Sequence, residues 1–102
     1  MPGKVRKIDL VKHIVLFNGK EGVNAAETAK VAASVLEPLV GQIEGLNHVE
    51  VRKTYAGMDF ALYCELDSRE AMDAYSVHPL HEEAKTYFFN LISSRVAADY
   101  EC

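Results

Sequence analysis

The first apolar stretch of the chain, residues 11–17, is the feature that most constrains the fold. It is rich in branched residues and is apolar at both odd and even positions apart from Lys12. A strand with this pattern is covered on both faces, whereas a half-exposed strand alternates apolar and polar residues. The two faces are predicted to carry His13, Val15 and Phe17 on one side, and Ile14 and Leu16 on the other.

Helical and extended patterns alternate along the chain in the order β-α-β-β-α-α-β. The first helix is predicted to start at the capping residue Asn24, to kink or restart at Pro38 and to end at Gly45. Strands are predicted over residues 8–17, 46–55, 58–66 and 95–100, with a short helix capped by Asp67 or Ser68 and a longer helix over residues 79–92. Split βαβ units of this kind form an α+β fold, a ferredoxin-like four-stranded antiparallel sheet with helices on one face.

Helices on one face of such a sheet leave the other face of the first strand open. Ile14 and Leu16 lie on that open face. Tyr63 lies on the same face if the side-chain alternation of the third strand is aligned with that of the first. An exposed apolar face marks an interaction surface, and a second copy of the chain is the simplest cover for it. The sequence therefore predicts a homodimer.

Composition and charge indicate which binding partners and which cellular location to expect. A chain of 102 residues, 49% of them apolar, suits one domain over residues 11–102 after an N-terminal tail of residues 1–10. The net charge of −4, without a basic cluster beyond residues 4–12, argues against nucleic acid as a partner. No apolar run approaches the roughly 18 residues that span a membrane, and no secretion signal or disulfide pattern occurs. We therefore expect a cytoplasmic protein with no membrane partner, and Cys64 in its core.

Residues 75–81 carry two of the four histidines and a proline between them. Because proline disfavours a helical residue before it and suits the first turn of a helix, one helix should end at His78 and another start at Pro79. Tyr75 and His81 then lie on either side of this junction, where their side chains can converge on one cavity. His13, on the helix-facing side of the first strand, is placed to reach the same cavity. His78 is expected to cap the new helix or to pack at the junction.

Three interpretations of Tyr75 and His81 stay open. The two side chains form a buried hydrogen bond that fastens the junction, or they line a ligand site without chemistry. In the third, His81 has a pKa near neutrality and takes a proton next to a carbonyl, while Tyr75 hydrogen-bonds the enolate. A metal site at His13, His78 and His81 is disfavoured, because the start of a helix separates the last two.

Aromatic residues can supply an apolar wall for this cavity. Tyr87, Phe88 and Phe89 have a spacing more typical of a hydrophobic core. Some of these rings, together with Phe17 and Phe60, can instead line a pocket between sheet and helices. No glycine-rich phosphate loop, nucleophile elbow or recognisable haem or flavin ligand occurs, so we expect no cofactor.

Three motifs together resemble one family, the stress-responsive A/B barrel (Dabb) domains. The motifs are Val-Lys-His-Ile-Val-Leu-Phe at 11–17, Tyr-x-x-His-Pro-x-His at 75–81 and Val-Ala-Ala-Asp-Tyr at 96–100. The resemblance covers nearly the whole chain and implies a dimeric α+β barrel. Most members of the family have no assigned activity.

The resemblance also implies functional residues. One member is a polyketide cyclase that closes a linear chain by aldol condensation, and Tyr75 and His81 match its catalytic pair while His13 matches a further pocket histidine. Val35 and Phe60 stand where that enzyme has a tyrosine and a histidine. We accordingly predict candidate catalytic residues His81 and Tyr75 beside a ligand pocket lined by His13, Val15, Phe17, Val35, Phe60 and Phe88.

Three functions follow from these residues. The first hypothesis is an uncharacterised family member that binds a small apolar or aromatic molecule between sheet and helices. The alternative is an enzyme of the lyase or aldol type, resembling a polyketide cyclase, that uses the Tyr-His pair. The third is an interaction protein whose function is assembly itself.

Overall fold

The computed structural model describes residues 10–102, so the predicted N-terminal tail lies outside the described residues except for Leu10. Residues 10–102 form four strands and three α-helices in the predicted order. The elements are β1 (Val11–Gly19), α1 (Ala25–Leu36), β2 (Leu46–Lys53), β3 (Phe60–Leu66), α2 (Arg69–Ser76), α3 (Pro79–Lys85) and β4 (Ile92–Glu101). The strands form one sheet in the order β2-β3-β1-β4, and every neighbouring pair is antiparallel. The predicted α+β, ferredoxin-like sheet is confirmed.

β1 lies inside the sheet and is covered unequally on its two faces. Val11, His13, Val15 and Phe17 are buried on the helix side, while Ile14 and Leu16 are half-buried on the other, as predicted. Ile14 lies opposite Tyr63 of β3 and Ala98 of β4, so all three side chains share the helix-free face. We call this helix-free side of the sheet the outer face and the helix-covered side the inner face.

α1 has a capping residue at its N-terminus and a stripe of apolar residues along one side. The side chain of Asn24 accepts a hydrogen bond from the backbone N–H of Glu27 at 3.0 Å, as predicted, and Ala29, Ala32 and Leu36 are buried. Pro38 lies in a one-turn 3₁₀ segment, Glu37–Leu39. The helix therefore ends at Leu36, and the prediction that it runs to a cap at Gly45 is wrong.

Side-chain caps also define the junction between α2 and α3. Ser68 caps α2 by accepting from the backbone N–H of Ala71, and His78 caps α3 by accepting from the backbone N–H of Leu80, each at 3.1 Å. Pro79 occupies the first turn of α3. The capping role predicted for His78 is confirmed.

α3 ends at Lys85, and the prediction of a helix to residue 92 is wrong. The helix ends early because the segment after it pairs with the distant strand β1. Ile92 pairs with Gly19, and the Lys20 N–H donates to the Leu91 carbonyl. Phe88 enters the core where the helix has already stopped. Its predicted neighbours in the apolar stripe and aromatic set, Tyr87 and Phe89, are exposed.

β4 differs from the other strands because the helices do not cover it. It is an edge strand paired with β1, and its residues from Ser93 to Glu101 are exposed on both faces. No helix in residues 10–102 has the length and apolar character needed to cross a membrane. An edge strand as long and as open as β4 is a surface that proteins usually cover or protect.

Gly45 and Gly57 provide a matched test of the packing of α2 on the sheet. Both have φ near +90°, but a Cβ on Gly45 would lie 2.7 Å from Cβ of Ala71, whereas Gly57 has open space. We expect Gly57→Ala to cost about 1–2 kcal/mol through its backbone conformation. Gly45→Ala should cost about 1–3 kcal/mol more through overpacking. Urea unfolding measures both, and equal losses would contradict the close approach of α2.

Candidate functional site

The α2–α3 junction stacks the two residues singled out by the sequence. The rings of Tyr75 and His81 have centroids 4.2 Å apart and are tilted by 33°. Tyr75 is 1% exposed, and it is the largest of the fully buried side chains in the described part of the chain. The two rings are in contact through their faces, and no hydrogen bond joins them among residues 10–102.

The Tyr75 hydroxyl has one weak partner within the described chain, the Cys64 sulfur at 3.9 Å. Burial raises the pKa of Tyr75 well above its ordinary value and raises the pKa of Cys64 to about 12. Both groups therefore keep their protons at neutral pH. Cys64 is buried as predicted, while the Tyr75 hydroxyl is a hydrogen-bond donor without a strong acceptor.

His81 is also incompletely satisfied. Its Nδ1 is buried and has no hydrogen-bond partner in the part of the chain that the structure describes. Burial first, and then the positive charge of Lys85, lower the pKa of His81 from 6.5 to about 4. The imidazole is therefore neutral at physiological pH, and it is a weak base for proton abstraction there.

His13 completes the cluster from the sheet side. It is 8% exposed, and its ring lies edge-on to Tyr75 with centroids 6.5 Å apart. Its Nδ1 lies 2.5 Å from Oδ1 of Asp99, which stands directly opposite His13 in the β1–β4 register. The carboxylate thus orients the imidazole.

Asp99 was missed by the sequence reasoning. The alternation of β4 carried the signal, because Val96, Ala98 and Tyr100 share one face and Asp99 must lie on the other. Its partner became evident only from the antiparallel register of two strands at opposite ends of the chain.

A cleft of about 370 Å³ opens between α2 and the inner face of β1 and β4. Asp99 lines it, as does Met72, which is one helical turn before Tyr75. The complete lining consists of Val11, Arg69, Met72, Asp73, Asp99, Tyr100 and Glu101. The cleft therefore reaches Asp99, the carboxylate that pairs with the buried His13.

The structure brings His13, Tyr75 and His81 together but places the other predicted pocket residues elsewhere. Val15, Phe17, Phe60 and Phe88 are buried in the core, where Phe17 stacks on Phe60 at 4.8 Å and meets Phe88 edge-on at 6.0 Å. Val35 lines a separate groove of about 210 Å³ between α1 and α3. Among residues 10–102, no group of three or more His, Cys, Asp or Glu residues is placed to hold a metal ion.

The lowered pKa of His81 predicts a pH dependence of stability. Below about pH 6.5 the unfolded chain protonates His81, whereas the folded chain does so only near pH 4. The free energy of unfolding should therefore fall as the pH drops from about 6.5 to 4, by at most about 3 kcal/mol. Urea unfolding of wild type and His81→Asn across this range measures the effect, since the two proteins share all other titrating groups. Equal pH slopes for the two proteins would contradict it.

Comparisons with known proteins show which family the chain belongs to. An uncharacterized protein of Streptomyces coelicolor is 31% identical over 97 residues, which cover 90% of this chain and 99% of that protein. A dimeric protein of unknown function with a ferredoxin-like fold, from Bacteroides fragilis, is 28% identical with a TM-score of 0.82. The match covers 91% of this chain and 96% of that one.

A hydroxynitrile lyase from Passiflora edulis shares the fold, with a TM-score of 0.78 at 14% identity. The match covers 94% of this chain and 95% of the lyase. The family model described as the stress responsive A/B barrel domain matches residues 11–102. The chain belongs to the stress responsive A/B barrel domain family, as the three motifs predicted.

Proposed function

We propose that this chain binds a small apolar or aromatic molecule in the cleft between α2 and the sheet, and that it does so as a homodimer. One observation supports the binding site above all: the cleft of about 370 Å³ is lined by apolar side chains and by Asp99, whose carboxylate pairs with the buried His13. Such a combination of concave space and a few convergent polar groups is typical of small-molecule sites.

Size and lining favour a ligand with one ring and a short substituent. A volume of about 370 Å³ lies at the small end of the usual range for ligand sites. Val11 and Met72 offer apolar contacts, and Tyr100 adds an aromatic residue to the lining. Thioether and aromatic groups pack well against a flat apolar ligand.

The protonation states favour binding over chemistry at His81. With a pKa of about 4, its imidazole is far from the value near neutrality that general-base catalysis requires. Tyr75 remains a protonated phenol. At neutral pH the pair is therefore uncharged, which argues against His81 as a general base.

The homodimer is supported by the outer face of the sheet. Ile14, Leu16, Val96 and Ala98 lie together there, on paired positions of β1 and β4. The charges at one end of this face are already paired, since Lys12 contacts Glu65 at 3.2 Å. A partner covering this face would bury apolar side chains without isolating those charges. The Bacteroides fragilis protein of the same fold is described as dimeric.

A second candidate is an enzyme of the lyase or aldol type acting on a carbonyl compound. The His13–Asp99 pair favours it, because a histidine held by a carboxylate is an arrangement that general bases use. In this candidate His13 would take the proton and Tyr75 would donate to the carbonyl oxygen. The Passiflora edulis protein with this fold is a lyase. Exchange of the methyl protons of para-hydroxyacetophenone in heavy water would distinguish this candidate, because binding alone does not accelerate it.

The binding site can be tested with para-ethylphenol. We expect its addition to shift the backbone amide NMR signals of Val11, Met72 and Asp99, which line the cleft. Met72→Trp should weaken binding about tenfold by filling the cleft, since overpacking blocks a site of this size. Ser34→Trp, in the separate α1–α3 groove, is the matched control and should bind as wild type. Shifts confined to that groove, or none at all, would contradict the proposal.

The dimer can be tested with a matched pair of charge substitutions. Val96 is 58% exposed in the single chain and lies on the outer face, so Val96→Asp should leave the fold intact and give a monomer. Val77, at the α2–α3 junction, is 71% exposed and lies off the sheet, so Val77→Asp should remain dimeric. Sedimentation velocity measures the mass, and circular dichroism checks the fold. An unchanged dimer for Val96→Asp, or a monomeric wild type, would refute this interface.

A further inference from the structure

We infer that Lys12 and Glu65 form reciprocal ion pairs across the homodimer, in which Lys12 of each protomer binds the partner's Glu65, and that these contacts select which chains pair. This inference rests on the homodimer proposed above and names the polar contact that selects the partner. It follows from three side chains on the outer face of the sheet, Lys12, Tyr63 and Glu65, which we call the Lys12 network.

The Lys12 network lies beside the apolar part of the outer face. Lys12 is opposite Glu65 in the β1–β3 register, and Tyr63 is opposite Ile14. Ile14 is two residues along β1 from Lys12, a distance of about 7 Å in a strand. A partner that covers Ile14 and Leu16 therefore comes close to the charges of Lys12 and Glu65.

Three hydrogen bonds within the chain hold the network together. The Lys12 ammonium donates to the Tyr63 hydroxyl at 3.1 Å and to Oε2 of Glu65 at 3.2 Å, and the Tyr63 hydroxyl donates to the same oxygen at 2.7 Å. The hydrogen bond to Tyr63, and then that to Glu65, raise the pKa of Lys12 above its usual value. The hydrogen bond from Tyr63, and then that from Lys12, lower the pKa of Glu65. At neutral pH the network therefore contains one cation and one anion.

One donor and one acceptor of the network have no partner among residues 10–102. An ammonium group has three hydrogens, and Lys12 uses two of them within the described chain. Both hydrogen bonds to Glu65 reach Oε2, which leaves Oε1 without one there. A chain that covers this face removes water from both groups, and burying a charged group with incomplete hydrogen bonding is strongly unfavourable. The covering chain must therefore supply an acceptor for Lys12 and a donor for Glu65.

A second copy of this chain supplies both groups. In a two-fold dimer, a contact from Lys12 to the partner's Glu65 is repeated by a contact from the partner's Lys12 to Glu65. The spare ammonium hydrogen of each chain can thus bind the spare carboxylate oxygen of the other. A chain with a different arrangement of charges at this place would leave both contacts unmatched, so the Lys12 network favours pairing of like chains.

Mixing two proteins tests the inference without breaking the network inside a chain. Lys12→Glu/Glu65→Lys keeps one cation and one anion in each chain, so it should fold and form its own dimer. It should not pair with wild type, because each reciprocal contact would then join like charges. Native mass spectrometry measures the mixed dimer after the variant and isotope-labelled wild type are refolded together from urea. We expect at least about tenfold less mixed dimer than random pairing gives.

A reversed ion pair away from the outer face is the matched control. Lys85 and Glu82 form an ion pair at 3.3 Å on α3. Lys85→Glu/Glu82→Lys should therefore pair with wild type at random.

Single charge reversals separate contacts between chains from contacts within a chain. Lys12→Glu and Glu65→Lys should each be monomeric alone, since each places like charges at both reciprocal contacts. Mixed together they should form a dimer, because both contacts between the chains are restored while the pair inside each chain stays broken. Sedimentation velocity measures the masses, and circular dichroism checks that each variant is folded.

The outcomes distinguish this inference from the homodimer on which it rests. A Lys12→Glu/Glu65→Lys variant that pairs at random with wild type, or that forms no dimer of its own, would overturn the reciprocal contacts. Folded single variants that form no dimer on mixing would overturn them as well. A monomeric wild type would overturn the homodimer itself.

Discussion

The register between β1 and its two neighbours determines both the candidate site and the face proposed for the dimer. It places His13 opposite Cys64 on one side and Asp99 on the other, all on the inner face. The same register places Leu16 opposite Val96 on the outer face. A slip of one residue would exchange the two faces of the strand, moving His13 out of the site and Leu16 under the helices. The slip is unfavourable because it would also move the charged Lys12 under the helices and break its ion pair with Glu65.

The candidate site places polar side chains in the protein interior, where apolar side chains are usual. Tyr75 and His81 are kept uncharged by burial, while the formal charges lie at the cleft, on Asp99 and the residues around it. An unpartnered buried nitrogen such as His81 Nδ1 costs stability, typically about 1–3 kcal/mol. Such departures from a well-satisfied core are expected where function requires them.

The sequence predicted those features that depend on local chemistry. The two faces of β1, the Asn24 cap and the His78–Pro79 junction could all be predicted, because each depends on neighbouring residues. The end of α3 could not, because pairing of β1 with the segment that begins at Ile92 overrides the helical pattern. Asp99 was missed for the same reason, since it lies 86 residues from His13. The aromatic pocket was predicted from composition, but Phe17 packs against Phe60 and Phe88 in the core.

The most direct test of the binding site is an NMR measurement of the His13 ring nitrogens, made before and after saturation with para-ethylphenol. In the free protein we expect the hydrogen on Nδ1, held by Asp99, and a mixture of tautomers in Asp99→Asn. On binding beside Asp99, the signals of the His13 ring nitrogens should shift, while Nδ1 keeps its hydrogen. A hydrogen on Nε2 in the free protein, or a His13 signal that does not respond to bound ligand, would contradict the assignment of the cleft as the binding site.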